Sequence, residues 1–374
     1  MKGRERGVML ADAHLLDTNP HAQAIAERYP EVRLIGPESD LGETIHALRG
    51  DVLQGTLPIS AMGGGVVMDH AKLACAVLNG NISIRALNSS ARSPLLFAKA
   101  ANERMRARVC LLPSTIGTGS HASTVAIHRS NSGRKKLIIG DSLKASTYET
   151  VPELFRSLPL RILSDGIREI FYRLVGPLTM ERTELTPLES LVLQKVIAVA
   201  LGEDPRNDLS SWLELSGKLH HRDNRSVTGS FGHRIWYLAH ELSATTNTTK
   251  MQATDYLVPR LWARPNSESN RFIVPDALDN LNWRIRHAQK NLATGSNRID
   301  VSGNPLLAIA SCLGLGSSGW HPSKTDLRQA CDLCRKRWGS LVAPGEEWST
   351  EQLVDILVSQ GQLWNIPKSA TCRR

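Results

Sequence analysis

No stretch of this 374-residue sequence approaches the roughly 18–20 unbroken apolar residues of a membrane-spanning helix, which excludes a helical membrane role. The opening residues, MKGRERGVMLADAHLL, carry charge but no long apolar core or small-residue cleavage site, so the expected location is cytoplasmic. Aromatic residues make up only 5%, with no stripe that alternates them with basic side chains. A nucleic-acid partner is therefore disfavoured, although the formal charge of +9 suits acidic or phosphate-bearing ligands. Cysteine is sparse and scattered (Cys75, Cys110, Cys312, Cys331, Cys334 and Cys372), which excludes a disulfide framework. The one C-x-x-C pair, Cys331 and Cys334, lies in a helical pattern with no second pair to complete a zinc site.

What is there is a chain long enough for two domains, with 41% hydrophobic residues to build their cores. Up to about residue 150 the pattern alternates. GVMLADAHLL, EVRLIG, LPISAMGGG, RVCLLPST, STVAIHR and KKLIIGD read as strands. NPHAQAIAERY, with Thr18-Asn19 as the cap and Pro20 near the first turn, reads as a helix, as do SDLGETIHALRG and DHAKLACAVLNG. Such alternation predicts a doubly wound parallel sheet. Beyond the boundary, placed near Ser146–Leu154, the segments read as helices. The expected fold is an α/β nucleotide-binding domain (1–150) followed by an all-α domain (151–374).

Two loops carry the chemical signal. Gly63, Gly64 and Gly65 end the third strand, and a helix with Asp69 and Lys72 follows. In an open α/β sheet, ligands bind outside the carboxyl ends of the strands. Glycines there let backbone N–H groups and a helix N-terminus approach phosphate oxygens. About 50 residues on, LPSTIGTGSHAS (Leu112–Ser123) is a second Gly/Ser/Thr loop after a strand.

GGGVVMDHAK followed by PSTIGTGSH resembles the iron-containing alcohol dehydrogenases, structural allies of glycerol dehydrogenase and dehydroquinate synthase, which carry GGGSxxDxAK and PTTxGTGSE. The likeness extends over roughly residues 8–260, with SLPLR (Ser157–Arg161) and LAHELSATTN (Leu238–Asn247) as weaker matches. It implies that Gly63, Gly64 and Gly65 cradle a dinucleotide pyrophosphate. Asp69 and Lys72 would fix that loop and the cofactor or substrate, Thr115, Thr118 and Ser120 would line the nicotinamide-ribose side, and Lys136 would stand near the cofactor. The coenzyme is NAD or NADP. Glu38 and Asp40 after the second strand favour NAD, with Arg33 just upstream.

The resemblance also implies a divalent metal (iron, zinc or nickel) held by one Asp and three His to polarise the substrate oxygen. An ungapped alignment places Arg168, Tyr172, Trp236 and Lys250 at those four positions, and none is a metal ligand. A dehydroquinate synthase-like register keeps more of a site: Glu169, His233 and His240, with His220 and His221 as extras. The alternative is that Glu169 is a solvated helix acid and the histidines are partly buried. His240 fits a general acid/base in either register. Without a metal, Lys250, Tyr172 or Arg168 would stabilise an alkoxide. His121 stands where the family has Glu. The polar segment Gly217–His233 reads as an acidic-substrate loop or a plain surface loop.

Three functions stay open. The first is an NAD(P)-dependent alcohol dehydrogenase-type oxidoreductase that acts on a small molecule or a peptide, as in natural-product tailoring. The second is a non-catalytic dinucleotide-binding subunit that supports a partner protein. The third is a sugar-phosphate cyclase. Self-association is expected from the resemblance alone.

Overall fold

The computed structural model describes residues 7–53, 58–89, 94–100, 107–130, 133–180, 184–220, 234–263, 271–292, 299, 304–315, 319–342 and 349–359. The chain forms two compact units, Met1–Gly166 with Asp208–His221, and Ile167–Asn207 with Arg222–Arg374. The first division falls inside a helix, later than the composition change near 150.

The first unit contains, in chain order, β1 (Val8–Asp12), α1 (Ala13–Thr18), α2 (Pro20–Ala26), β2 (Glu31–Ile35), α3 (Leu41–Leu53), β3 (Pro58–Gly63), α4 (Gly65–Leu78), α5 (Ile84–Asn88), β4 (Leu95–Phe97), β5 (Arg108–Pro113), β6 (Val125–Arg129), β7 (Lys135–Ile139), β8 (Thr147–Tyr148) and α6 (Glu153–Arg156). Helix α7 (Leu160–Leu178) begins in it. Five strands form an all-parallel sheet in the order β2-β1-β3-β5-β8, with Leu10 opposite Ala61 and Ala61 opposite Leu111. Strands β1 and β3 are buried almost along their length, as a parallel sheet covered on both faces requires. Helix α4 is apolar nearly all round and lies in the core, where Met68, Ala71 and Ala74 join Leu10, Ile59 and Leu111. Asn19 caps α2 by accepting from the His21 and Ala22 N–H groups, with Pro20 at the first helical position.

Two expected strands leave this sheet. β6 and β7 pair antiparallel with each other, and β4 joins β7 in a separate sheet of order β4-β7-β6. The reason is connection length. Only residues 130–134 separate β6 from β7, enough for a hairpin but too few for a parallel crossover.

The second unit is helical. It holds the rest of α7, then α8 (Pro187–Ala200), α10 (Ile235–Thr245), α11 (Lys250–Ala263), α12 (Pro275–Leu292), α13 (Pro305–Cys312), α14 (Lys324–Val342) and α15 (Thr350–Ser359). A reciprocal capping box between Thr186 and Glu189 starts α8. Helix α9 (Leu209–His220) returns to the first unit, which local periodicity does not reveal. No described helix is long and apolar enough to cross a membrane.

Two buried histidines make the first unit acid-sensitive. His70 shares a hydrogen bond with Thr44 Oγ1 (2.9 Å), and His128 one with Asn88 Oδ1 (3.0 Å). Burial first, then the neighbouring charge (His128 for His70, Lys136 for His128), pushes each imidazole down to about 4. The unfolded chain takes up these protons near pH 6.5 and the folded chain only near 4, so stability falls as pH falls through that window. Each histidine contributes at most about 1.4 kcal/mol per pH unit. Denaturant midpoints between pH 7 and 4.5 are expected to drop. His70→Asn should flatten the curve, and an unchanged slope in that variant would count against this account.

Candidate functional site

At the carboxyl ends of β3 and β5 the two loops lie against each other. A Cβ on Gly64 would stand 3.3 Å from Thr115 Oγ1, and one on Gly65 3.0 Å from Thr118 Cγ2. On Gly63 it would meet Val67 Cγ2 at 2.8 Å. Gly64 and Gly65, both half-buried, thus make room for the second loop, and the buried Gly63 makes room for Val67. Helix α4 starts at Gly65 with no side-chain cap, so its first-turn N–H groups offer an anion site. Thr115 Oγ1 is buried and has no hydrogen-bond partner among the described residues.

One ion pair holds this arrangement. Lys72 is fully buried, and its ammonium donates to Val125 O (2.5 Å), Ser120 O (3.0 Å), Ser123 Oγ (3.2 Å) and Ser120 Oγ (3.4 Å). Asp69 Oδ1 lies 3.6 Å away and accepts the Ser120 hydroxyl, while Asp69 Oδ2 accepts Ile127 N–H (3.0 Å). Burial pushes the Lys72 ammonium below its ordinary range, and Asp69 opposes that shift. Both residues act on the loop directly. On the other side His220 Nε2 pairs with Thr118 O at 2.8 Å, and Gly119, at φ +61°, passes under its ring. His121 is buried edge-on to Tyr148 at 4.9 Å, a packing role where the family has a carboxylate.

The helical unit carries a separate cluster. Glu169 Oε1 on α7 accepts from Lys250 Nζ (2.5 Å) at the start of α11 and from Arg173 (3.3 Å) one turn on. Both cations lie over the Trp236 ring of α10, Lys250 at 4.5 Å and Arg173 at 4.7 Å from its centroid. Burial by itself pushes the Glu169 carboxyl up, but Lys250 and Arg173 outweigh it and hold the group below its ordinary value. Next to this, Asp255 on α11 pairs with Arg168 (3.2 Å) and accepts the Tyr172 hydroxyl (3.0 Å), and Arg168 also donates to Leu313 O (2.8 Å). His240, one turn beyond Trp236, is half-buried and stacks on Trp338 with centroids 6.4 Å apart.

Solved structures align with nearly the whole chain. An alcohol dehydrogenase from Oenococcus oeni matches with a TM-score of 0.70 at 15% identity, covering 95% of this chain and 92% of that one. An iron-containing alcohol dehydrogenase from Thermotoga maritima matches with 0.66 at 15% identity (95% and 92%). This is the iron-containing alcohol dehydrogenase fold. A sulfoacetaldehyde reductase from Bifidobacterium kashiwanohense, solved with NAD+, has the same fold (0.65, 16% identity, 95% and 90%). In sequence, a phosphonoacetaldehyde reductase from Streptomyces viridochromogenes is 33% identical over 130 residues, 34% of this chain and 30% of that protein. No family model matches. The fold expected from the two glycine loops is the fold found.

Within this fold the dinucleotide cradle and the metal site fare differently. The uncapped α4 and the orphaned Thr115 hydroxyl fit a dinucleotide phosphate. The described residues of the Glu169 cluster do not fit a divalent cation. Their one carboxylate is already shared by an ammonium and a guanidinium, and their third wall is an indole. Charges about 4 Å apart interact by roughly 4 kcal/mol per unit pair at an effective dielectric near 20, so a dication here would meet strong repulsion. No group of three or more His, Cys, Asp or Glu able to hold a metal occurs among the described residues. Of the expected triad Glu169, His233 and His240, Glu169 is committed to cations, and His233 and the extra His221 lie outside the described residues. Glu169 is therefore not a solvated helix acid either.

Two further expectations are corrected. Tyr172 is wholly buried and donates its hydroxyl to Asp255, which ties α7 to α11. Lys136 is buried in the small sheet and donates to Ser89 O (2.5 Å), Ser89 Oγ (3.0 Å) and Ala86 O (3.1 Å), which pins α5 instead of facing a cofactor. Asp40 caps α3 through the Glu43 N–H (2.8 Å), whereas Glu38 pairs with Arg129 (2.8 Å) beside a polar depression of 290 Å³. Sequence reasoning missed Arg173, although its i,i+4 spacing from Glu169 was available. It missed the role of His220, for which no local signal exists.

Proposed function

We propose that the chain is an NAD(P)-dependent oxidoreductase that interconverts an alcohol and a carbonyl compound. The observation that supports it most is the paired-loop cradle: bare glycine backbone, the uncapped start of α4 and the unpartnered Thr115 hydroxyl at the strand ends. When bound, the dinucleotide supplies or accepts the hydride. The chain's own task in the first unit is to hold phosphate on the α4 N–H groups and to keep the Thr115–Ser120 loop in place through Asp69 and Lys72. In the helical unit, His240 is the proposed proton relay.

The substrate class follows from chemistry that two relatives share. Phosphonoacetaldehyde and sulfoacetaldehyde are both short aldehydes that bear an anionic group, and this chain is basic. We therefore place an anionic short-chain aldehyde first, ahead of a larger natural-product or peptide hydroxyl. A cytoplasmic location and self-association belong to the same reading; fractionation and sedimentation check them.

Calorimetric titration with NAD and NADP tests the cradle. Wild-type protein is expected to bind at least one of them, with NAD preferred because Glu38 stands beside the depression after β2. Gly64→Val should weaken binding at least about 10-fold with the fold intact, because its side chain would press on Thr115. If wild type binds neither coenzyme, the oxidoreductase reading fails. Binding without turnover of any aldehyde would favour the supporting-subunit alternative.

A further inference from the structure

We propose that the outer edge of β2 is a surface for a second copy of this chain, and that the two β2 strands pair antiparallel with Val32 on the twofold axis. The surface lies wholly within the first unit, and the proposal is independent of the oxidoreductase reading above. β2 (Glu31–Ile35) ends the five-stranded sheet and pairs with β1 alone among the described residues. An edge strand in a parallel ladder turns alternate N–H and C=O groups outward. Those of residues 31–35 have no hydrogen-bond partner among the described residues. Natural edges are blunted by lysine, proline or a covering element. β2 contains neither residue, and its apolar Leu34 is 60% exposed.

Charge selects both the occupant and the register. Two identical edges pair antiparallel only about a twofold axis perpendicular to the sheet. Such an axis maps each face of the sheet onto itself, so facing residues share a face and one residue lies on the axis. Glu31 and Arg33 point to the same face and form an ion pair, with side chains 38% and 34% accessible. With Glu31 or Arg33 on the axis, like charges would face each other, which is destabilising. With Leu34 or Ile35 on the axis, both charges would face uncharged residues of the second copy. With Val32 on the axis, each Glu31 faces the Arg33 of the second copy, and this happens twice. The edge is therefore complementary to itself, as an isologous contact requires. A five-residue ladder buries less than the roughly 1,200 Å² at the low end of stable interfaces, so the expected Kd is on the order of 10–100 μM.

Sedimentation equilibrium of the full chain, over a range of about 1–300 μM, tests this and is expected to show monomer and dimer in exchange. Glu31→Arg and Arg33→Glu should each weaken the dimer about 10-fold, because like charges then face each other. The double variant, with the two charges exchanged, should restore it. Crosslinking gives a second reading of the register. Residues facing each other on the axis have Cβ atoms about 4.5–5.5 Å apart, so Val32→Cys should form a disulfide-linked dimer on a non-reducing gel. The two copies of residue 34 stand four residues apart along the ladder, about 14 Å, so Leu34→Cys should crosslink no more than wild type. Random collision would favour the more exposed Leu34→Cys instead. Wild type that stays monomeric throughout overturns the proposal and leaves the edge to a strand of another protein. Charge reversals that leave the dimer unchanged also overturn it, as does a double variant that is not restored or a Leu34→Cys that crosslinks better than Val32→Cys.

Discussion

Lys72→Met is expected to destabilise the first unit by about 3–5 kcal/mol, the range for removing one partner of a buried ion pair. Its side chain is 0% exposed, so solvent does not screen the loss. The methionine would fill the volume but leave the acceptors at Ser120, Ser123 and Val125 without their common donor. Asp69 would keep its bonds from Ser120 and Ile127 but lose its counter-charge. Urea midpoints measure the stability change. The functional effect follows from position: Ser120 belongs to the loop that lies on Gly64 and Gly65, so dinucleotide affinity should fall in the fraction that still folds. Asp69→Asn combined with Lys72→Met should cost less than the two single changes together, because each single variant strands the other partner. A Lys72→Met protein within about 0.5 kcal/mol of wild type, a change typical of unconstrained surface sites, would show that this pair does not hold the loop.

Gly119→Ala is expected to cost about 2–3 kcal/mol and to weaken dinucleotide binding. Two separable effects add. A φ of +61° is unfavourable for any residue with a Cβ by roughly 1–2 kcal/mol. The new Cβ would also stand 1.9 Å from His220 Cδ2 and 3.1 Å from Ser216 O, so the imidazole must leave its bond to Thr118 O, worth about 1 kcal/mol. Gly80→Ala provides the control: its φ is +74°, and nothing lies within 4 Å of the added atom. It should show the conformational cost alone and leave binding unchanged. In a His220→Ala background, Gly119→Ala should cost less than in wild type, approaching the cost of Gly80→Ala, with only the 3.1 Å approach to Ser216 O remaining. If the cost stays at its full value there, the His220 ring is not what requires this glycine.

Strands β1, β2, β3, β5, β6 and β7, helices α2, α3 and α4, and most helices of the second unit were legible because hydrophobic period, caps and turn residues are local properties, whereas α1 was read as part of the first strand and the short α5, β4 and β8, with α9, were not read. Thr18-Asn19 with Pro20 announced α2, and the double glycine loop announced the fold. One alignment register also put Arg168, Tyr172, Trp236 and Lys250 at the metal-ligand positions of the family that the sequence resembles, and another put Glu169, His233 and His240 there. The sequence could not say what these residues do, because the partners of a buried charge are far away along the chain. Lys72 meets Ser120 across 48 residues, Lys250 meets Glu169 across 81, and His220 meets Thr118 across 102. Nothing local distinguishes a lysine that faces a ligand, as Lys136 was expected to do, from one turned inward onto Ser89. The sequence by itself therefore determined the alternation of strands and helices in the first unit and the two glycine loops. Only the tertiary structure decided that β6 and β7 form a sheet of their own, that α9 returns beneath Gly119, and that Glu169 is claimed by two cations. Those outcomes depend on desolvation and close approach between distant segments, which no local periodicity encodes.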